Sequence, residues 1–212
     1  MTLNSVSRRV RLGVSASLLF ATALSLAACA SPPSPAASQV AVPHRVELLS
    51  GDSGILNYTP WYIHTWELSG PKGTGIGGGG RNAMPVKDNG RPSGGSGMCC
   101  ASIPHDWQPD LRLTVRWLVF KDVKKLGAKA PGDWYKAENV QIAKYDGYQV
   151  GDIWAIFLSG DRVRLMVSDG NSSGGNDLNH RPPDGDPYIV QGMRDDEWNR
   201  LFPNGVAQGI KQ

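Results

Sequence analysis

The feature that most restricts the fold is the alternation of apolar and polar side chains from Leu111 to Lys121. Alternate side chains of a β-strand point to opposite faces, so this pattern predicts a half-buried strand rather than a helix. The apolar positions are Leu111, Leu113, Val115, Trp117 and Val119. Further along the chain, Ile153–Leu158 and Arg162–Ser168 flank the turn Ser159-Gly160-Asp161, which predicts a β-hairpin.

The remaining segments extend this β pattern. We expect strands at His44–Leu49, Tyr58–Leu68 and Trp134–Tyr145, with a turn at residues 50–54. Residues 194–202 predict about two helical turns that dock through Trp198, Leu201 and Phe202. The expected fold is therefore mainly β, a single antiparallel, sandwich-like β-sheet domain with long loops and a short C-terminal helix.

The N-terminus has the pattern of a bacterial lipoprotein. Three arginines precede an apolar run, Val14–Ala28, that is too short to span a membrane as a mature helix. That run ends in Leu26-Ala27-Ala28-Cys29, a lipobox, in which Cys29 is the lipid attachment site. The alternative is an ordinary signal with a chance cysteine. We expect a signal peptide at 1–28, a flexible Pro/Ser/Ala tether at 29–43 and a β-rich domain at 44–212.

The residue after Cys29 is Ala30 rather than Asp, which resembles outer-membrane sorting. We therefore expect an outer-membrane lipid anchor, with the domain on the periplasmic face and held there by several acyl chains, palmitate among them. The chain has 22 Lys and Arg residues against 19 Asp and Glu residues. Removing Arg8, Arg9 and Arg11 with the signal leaves a neutral protein, so we expect no nucleic-acid partner.

The long segment Gly70–Gly97 holds 11 of the 26 glycines. It matches neither a dinucleotide fingerprint nor a phosphate-binding loop, because the required spacing and following helix are absent. The segment is either a mobile hairpin loop or an adaptable recognition surface on a rigid sheet. Its excess of positive charge makes four residues candidates for partner binding: Lys72, Arg81, Lys87 and Arg91.

A second candidate surface is the polar loop Asp169–Pro187, in which Asp177, Asp184 and Asp186 are acidic. Calcium is an alternative ligand for this loop, although the EF-hand spacing is missing, and we predict no metal site and no cofactor. Tight binding also needs an aromatic or arginine centre. Tyr58, Trp61 or Trp107 supplies one if it is exposed beside the glycine segment, and otherwise belongs to the core.

Cys99 and Cys100 are adjacent, so a vicinal bond is the one intramolecular disulfide left to them in an oxidising compartment. Two interpretations stay open. Either both thiols remain reduced on opposite faces of a strand, which we favour, or the vicinal disulfide forms beside the glycine segment. Neither interpretation makes the cysteines catalytic. A nucleophilic cysteine needs a base and an orienting group, and the sequence places His105 and Asp106 near the two cysteines along the chain only, not in space.

Several blocks together resemble a known family. They are Tyr58-Thr59 with Tyr62-Ile63, the glycine run, Cys-Cys-x-Ser-Ile-Pro at 99–104, Trp107 to Trp117, and Ile153 to Asp161. This order resembles a family of small proteobacterial envelope proteins, many with lipoprotein signals, that is catalogued as a domain of unknown function. The resemblance covers roughly residues 53–168.

Members of that family are similar to periplasmic immunity proteins encoded beside type VI secretion phospholipase effectors. The resemblance implies an immunity protein that binds and neutralises a cognate phospholipase effector protein, with no catalytic residues and no enzyme activity. The alternative from the residues is an envelope enzyme or envelope-assembly factor acting on glycan or peptide, which would need a cluster of polar residues that the sequence does not display.

Overall fold

A computed structural model describes residues 46–122, 132–147, 150–169 and 176–203. Of these residues, 48% are in strands and 5% are in helices, so the prediction of a mainly β fold with a short C-terminal helix is confirmed. The predicted signal peptide, Cys29 and the tether lie outside the described residues.

The bounds of the elements follow the chain. The strands are β1 (Leu48–Asn57), β2 (Tyr62–Ser69), β3 (Gly77–Gly80), β4 (Ser93–Pro104), β5 (Leu113–Phe120), β6 (Asp133–Val140), β7 (Ile153–Leu158), β8 (Arg162–Val167), β9 (Val190–Gln191) and β10 (Met193–Arg194). The helix is α1 (Asp196–Leu201).

These strands form one sheet in the order β10-β6-β5-β2-β3-β4-β1-β7-β8-β9. The sheet is mixed rather than wholly antiparallel, because β1 pairs in parallel with β7, and the described residues form this single sheet instead of a sandwich. Val190–Arg194 nearly closes the sheet on itself, since β9 pairs with β8 and β10 pairs with β6. Gly192 lies between them, where a Cβ would overlap the Trp117 ring.

The core lies where β5 and β7 face each other. Trp117 is 1% exposed, and its ring centroid lies 5.4 Å from that of Phe157 and 5.9 Å from that of Tyr135. All six residues of β7 are buried, as its continuous apolar run predicts. The predicted β7–β8 hairpin is present, with Leu158 opposite Arg162 across the turn.

The prediction of a turn at residues 50–54 was wrong. β1 runs through this segment between β4 and β7, with irregular register after Gly51 and after Ser53. Ser53 and Gly54 are buried there, and a Cβ on Gly54 would overlap the Trp154 ring. The small residues that resemble a turn in sequence are needed because two neighbouring strands and an indole crowd the backbone.

The glycine segment is partly ordered into the sheet rather than a mobile loop. Gly77–Gly80 forms β3, and β4 already begins at Ser93. A Cβ on Gly80 would overlap the Trp66 indole, so only glycine allows β3 to lie against β2 at this point. Tertiary pairing has therefore overridden the low strand propensity of four glycines.

The predicted docking of the C-terminal helix is confirmed for two of its three residues. Asp195 is its N-cap and accepts a hydrogen bond from the Trp198 N–H, and the Trp198 ring lies 4.8 Å from that of Trp134. Phe202 joins this aromatic group at 6.5 Å from Trp134. Leu201 does not dock, because it is 58% exposed, and the prediction for that residue was wrong.

Candidate functional site

The strongest candidate for a binding site is a cleft of about 350 Å³ that opens between the start of β4 and the chain that follows β3. We call it the basic groove. Its lining residues are Arg81, Asn82, Ala83, Met84, Lys87, Ser93, Gly94 and Gly95. It contains two of the four basic residues predicted for partner binding, Arg81 and Lys87.

The two walls of the groove pair with different strands, one with β2 and the other with β1. On one wall, Ala83 pairs with Ile63 of β2 through reciprocal backbone bonds of 2.8 and 3.0 Å. On the other wall, Ser93 and Gly94 pair with β1. The Ser93 hydroxyl donates to the Pro85 carbonyl at 2.7 Å, which joins the walls at one place.

A buried asparagine fixes the geometry of the groove. Asn57 is 0% exposed, and its Nδ2 donates to the carbonyls of Trp61 at 2.7 Å and Met84 at 2.8 Å. Its Oδ1 accepts from the backbone N–H and the hydroxyl of Thr59, at 2.9 and 2.7 Å. Asn57 is also opposite Ser93 in the β1–β4 register. One side chain therefore links the end of β1 to the wall that carries Met84.

Gly94 is required at the base of the groove. Its φ is +132°, and a Cβ there would overlap the backbone carbonyl of Ile55. At Gly95, by contrast, a Cβ would meet no atom within 4 Å. The backbone of β4 is therefore packed closely against β1 at Gly94, whereas there is space for a side chain at Gly95.

The charge of the groove comes from two basic side chains that form no ion pairs within the described residues. Arg81 and Lys87 are exposed, and neither makes an ion pair with any described residue. Met84 is 56% exposed beside them. A surface with unpaired cations and an exposed apolar side chain fits an acidic partner with some apolar character.

The other two predicted cations, Lys72 and Arg91, are exposed but do not line the groove. Lys72 lies between β2 and β3. The Arg91 carbonyl accepts from the Lys87 N–H at 3.0 Å, which places Arg91 in the turn that carries Lys87. Two of the four basic residues therefore line the groove and two lie outside it, and the role of all four in partner binding stays a prediction.

The acidic loop differs from the groove, because its carboxylates already have partners. Asp184 accepts from Arg181 at 2.8 Å and Arg162 at 2.9 Å, and these guanidinium groups hold its pKa below the usual range. Asp186 accepts from Arg164 at 2.8 Å. Asp177 accepts from the Asn179 N–H, which is the main cause of its lowered pKa.

Each of these three carboxylates, and also that of Asp169, accepts hydrogen bonds from its own set of donors. Within the described residues, no group of three or more His, Cys, Asp or Glu side chains is arranged to hold a metal ion. The described residues also contain no helix of the length and apolar character that a membrane span requires.

Trp107 does not lie beside the glycine segment but in a second cleft, of about 570 Å³. Its indole N–H donates to the Ile142 carbonyl at 2.9 Å, and the Lys144 ammonium lies 6.0 Å from its ring centroid. Next to it, the Tyr145 hydroxyl donates to the Pro104 carbonyl at 2.6 Å. Burial, together with the Asp106 charge, raises the pKa of Tyr145 to about 12.

A histidine and an aspartate contact each other beside the same cleft. His105 Nδ1 and Asp106 Oδ1 are 2.9 Å apart, and Asp106 lines the cleft. Tyr58 and Trp61 are half-buried elsewhere, and the Lys121 ammonium lies 4.2 Å from the Trp61 ring centroid. The aromatic residues therefore do not form one exposed centre at the groove.

Cys99 and Cys100 are joined as a vicinal disulfide across a cis peptide bond, so the structure has the second of the two predicted arrangements and not the favoured reduced one. Both residues are exposed in β4, and Cys99 is opposite Asp52 of β1. The disulfide is therefore on the same strand as the groove, at its more C-terminal part.

Sequence reasoning missed Asn57, Met84 and Ser93. Asn57 could have been found, because Asn-x-Thr before a proline is typical of a side chain that hydrogen-bonds to the backbone two residues later. Met84 and Ser93 carry no comparable signal, since their position at the groove depends on pairing between strands that are distant in sequence.

One family is similar to this chain over the region that contains the groove. No curated protein and no solved structure matches the chain. A family described as "protein of unknown function (DUF3304)" matches residues 56–165, from the end of β1 into β8 and just over half of the chain. The matched segment contains the basic groove, the vicinal disulfide and Trp107. The chain therefore belongs to the DUF3304 family.

Proposed function

We propose that this chain is an immunity protein, a lipoprotein that binds and neutralises a phospholipase effector delivered to the periplasm by type VI secretion. Cys29 carries the lipid anchor, which holds the domain on the periplasmic face of the outer membrane. The support for the address is the lipobox, and the support for the partner is the resemblance of the Cys-Cys-x-Ser-Ile-Pro block and its neighbours to immunity-associated proteins.

The observation that carries the proposal is the basic groove. Arg81 and Lys87 lack ion-pair partners among the described residues, whereas the acidic side chains Asp184 and Asp186 have theirs. Two cations without ion-pair partners and an exposed methionine suit a surface that becomes buried by a partner. Neutralisation then needs only occupation of the effector's active-site entrance or lipid-binding surface, without chemistry.

The experiment is a protection assay. The phospholipase effector encoded beside this chain is exported to the periplasm of a sensitive strain. Cells that carry the full-length chain should survive, and cells without it should lyse. An effector with an inactivated lipase site, tested in parallel, separates toxicity of the lipase from toxicity of export. Equal death with and without the chain, at matched expression, would contradict the proposal.

A second function is favoured by the Trp107 cleft. An aromatic ring beside a His105–Asp106 pair in an open cleft resembles the way that glycan-binding sites combine stacking with polar groups. This would fit an envelope enzyme or assembly factor acting on glycan or peptide. Protection that persists when the chain is far below the effector in amount would favour this turnover-dependent alternative.

A further inference from the structure

A group of three aromatic side chains that the sequence did not single out adjoins the basic groove. Tyr62 of β2 lies directly opposite Phe120 of β5, and their ring centroids are 5.9 Å apart. The ring centroid of His64 lies 6.0 Å from that of Tyr62 and 5.9 Å from that of Phe120. All three residues are half-buried, so the group is partly open to solvent. We call it the aromatic patch.

The aromatic patch lies on the face of the sheet that points away from the core. Ile63 and Val119, the residues next to Tyr62 and Phe120, pair with each other and are each 1% exposed. Because successive side chains of a strand point to opposite faces, Tyr62 and Phe120 point outward. Burial lowers the pKa of His64, so its imidazole is uncharged at neutral pH and contributes an uncharged aromatic ring to the patch.

Asn82 connects the aromatic patch to the basic groove. Its side chain lines the groove, and its Nδ2 donates to the Tyr62 hydroxyl at 2.7 Å. Asn82 and Met84 flank Ala83, which pairs with Ile63 of β2 and belongs to the core at 3% exposed. By the same alternation Met84, 56% exposed, points outward together with Asn82. The patch therefore continues through these two side chains into the groove.

The charges beside the patch favour an acidic partner. Arg81 and Lys87 line the groove and form no ion pair within the part of the chain that the structure describes. On the other side of the patch, Lys121 follows Phe120, and its ammonium already lies 2.9 Å from Asp161 Oδ2. Carboxylates of a partner would therefore find unpaired cations on the groove side of the patch.

The patch and the groove differ in the contribution that each can make to affinity. Most of the binding energy of a protein interface comes from a few desolvated side chains near its centre, among which tyrosine is enriched. Exposed charges at the rim act more on the association rate than on the affinity. Tyr62 fits the first description, since its hydroxyl already has a hydrogen-bond partner in Asn82, which reduces the cost of burying it.

We propose that the aromatic patch is the centre of the surface that binds the effector, and that Arg81 and Lys87 form part of its rim. The matching surface of the effector carries an exposed apolar side chain bordered by carboxylates. This inference rests on the proposed function and deepens it, because it places most of the affinity beside the groove rather than in it.

The test measures binding of the phospholipase effector encoded beside this chain, inactivated at its lipase site, to the full-length chain in non-ionic detergent by calorimetry. Tyr62→Ala should raise Kd by at least about thirtyfold, the effect of a residue at the centre of an interface. The matched control Tyr188→Ala truncates another half-buried tyrosine, which directly follows the acidic loop, and should raise Kd by less than about threefold. Equal effects of the two variants would overturn the inference.

Salt distinguishes the centre of the surface from its rim. The Debye length falls from about 10 Å at 0.1 M salt to about 3 Å at 1 M, which screens exposed charges but not apolar contacts. The loss of affinity caused by Arg81→Glu with Lys87→Glu should therefore shrink at 1 M salt, whereas the loss caused by Tyr62→Ala should persist. A Tyr62→Ala effect that disappears at 1 M salt would contradict an apolar centre.

A footprint of the wild-type chain gives a result even if Tyr62→Ala does not fold. Hydroxyl radicals oxidise exposed methionine and aromatic side chains, and mass spectrometry locates the products. The effector should protect Met84, Tyr62 and Phe120. It should not protect Met193 of β10, a methionine of similar exposure at 64% against 56% for Met84. Protection of both methionines, or of neither, would count against the patch.

The outcomes also separate this inference from the proposed function. If the effector binds through the patch but keeps its lipase activity, the binding surface stands and the immunity proposal falls. If the effector is neutralised equally by the wild-type chain and by Tyr62→Ala, the immunity proposal stands and the patch falls. If the wild-type chain binds anionic phosphatidylglycerol vesicles through Tyr62 and does not bind the effector, both fall.

Discussion

Asn57→Ala should destabilise the protein more than any other single polar truncation at the groove. The side chain is 0% exposed and makes four hydrogen bonds shorter than 3 Å, two as donor to Trp61 and Met84 and two as acceptor from Thr59. Alanine removes all four and leaves backbone groups unpaired beside the end of β1.

The magnitude follows from the cost of buried polar groups that lose their partners. At about 1 kcal/mol for each of the four bonds, the free energy of unfolding should fall by roughly 3–5 kcal/mol. That is a large share of the roughly 5–15 kcal/mol typical of a folded domain. Because a protein of this size loses about 2–4 °C in Tm for each kcal/mol, Tm should fall by roughly 10 °C.

The assay is urea denaturation followed by tryptophan fluorescence, on the full-length chain in detergent. The matched control is Asn82→Ala, since Asn82 is an exposed groove residue whose Nδ2 makes one bond to the Tyr62 hydroxyl, at 2.7 Å. We expect that control to cost less than about 1 kcal/mol. A loss below about 1 kcal/mol for Asn57→Ala as well would refute the role of this residue in fixing the groove.

Four further predictions follow from other parts of the chain. Trp117→Ala should cost roughly 3–5 kcal/mol in urea denaturation because the ring is 1% exposed in the core, and a cost below about 1 kcal/mol would contradict that placement. Cys29→Ser should release the protein from membrane pellets and abolish incorporation of labelled palmitate; unchanged fractionation would refute the lipobox assignment. Replacing Cys99 and Cys100 by Ser should leave effector binding within about tenfold in calorimetry, and complete loss would show that the disulfide is part of the site. Burial raises the pKa of Tyr145 from 10.0 to about 12, so the folded state holds this proton more tightly than the unfolded state, and the free energy of unfolding should fall as pH rises from 10.0 toward 12; Tyr145→Phe should remove that part of the pH dependence.

The strands that alternate regularly could be predicted from sequence. The hairpin of β7 and β8 and the strand β5 lie where the pattern of apolar residues placed them, because burial on one or both faces determines the identity of each side chain. In these elements the local pattern and the tertiary environment agree.

The segments around the groove could not be predicted in the same way. Gly77–Gly80 has little strand propensity, yet it forms β3 because the Trp66 indole leaves room for nothing larger at Gly80. β1 passes through a segment with the composition of a turn for a similar reason, as Gly54 lies against Trp154. Contacts between residues far apart in the chain decide both cases, and no local window contains them.

The candidate site, too, could be predicted from sequence only in part. The excess of positive charge in the glycine segment was readable, but its division between groove and surroundings was not. Arg81 lines the groove because it directly follows β3, where the chain continues to pair with β2 through Ala83, whereas Lys72 precedes β3 and stays outside. The contact between Asp184 and Arg162 was equally unpredictable, because Arg162 lies in β8, 22 residues before Asp184.

The central claim is that this chain neutralises a lipase by binding it through the basic groove. Its most direct test is a titration of the neighbouring effector's phospholipase activity with the full-length chain in detergent micelles containing substrate. We predict that activity falls linearly to zero at one chain per effector, and that the Arg81→Glu, Lys87→Glu variant requires a large excess while the Lys72→Glu, Arg91→Glu variant does not. Full activity at an excess of wild-type chain, or loss of activity at catalytic amounts of it, would contradict the account.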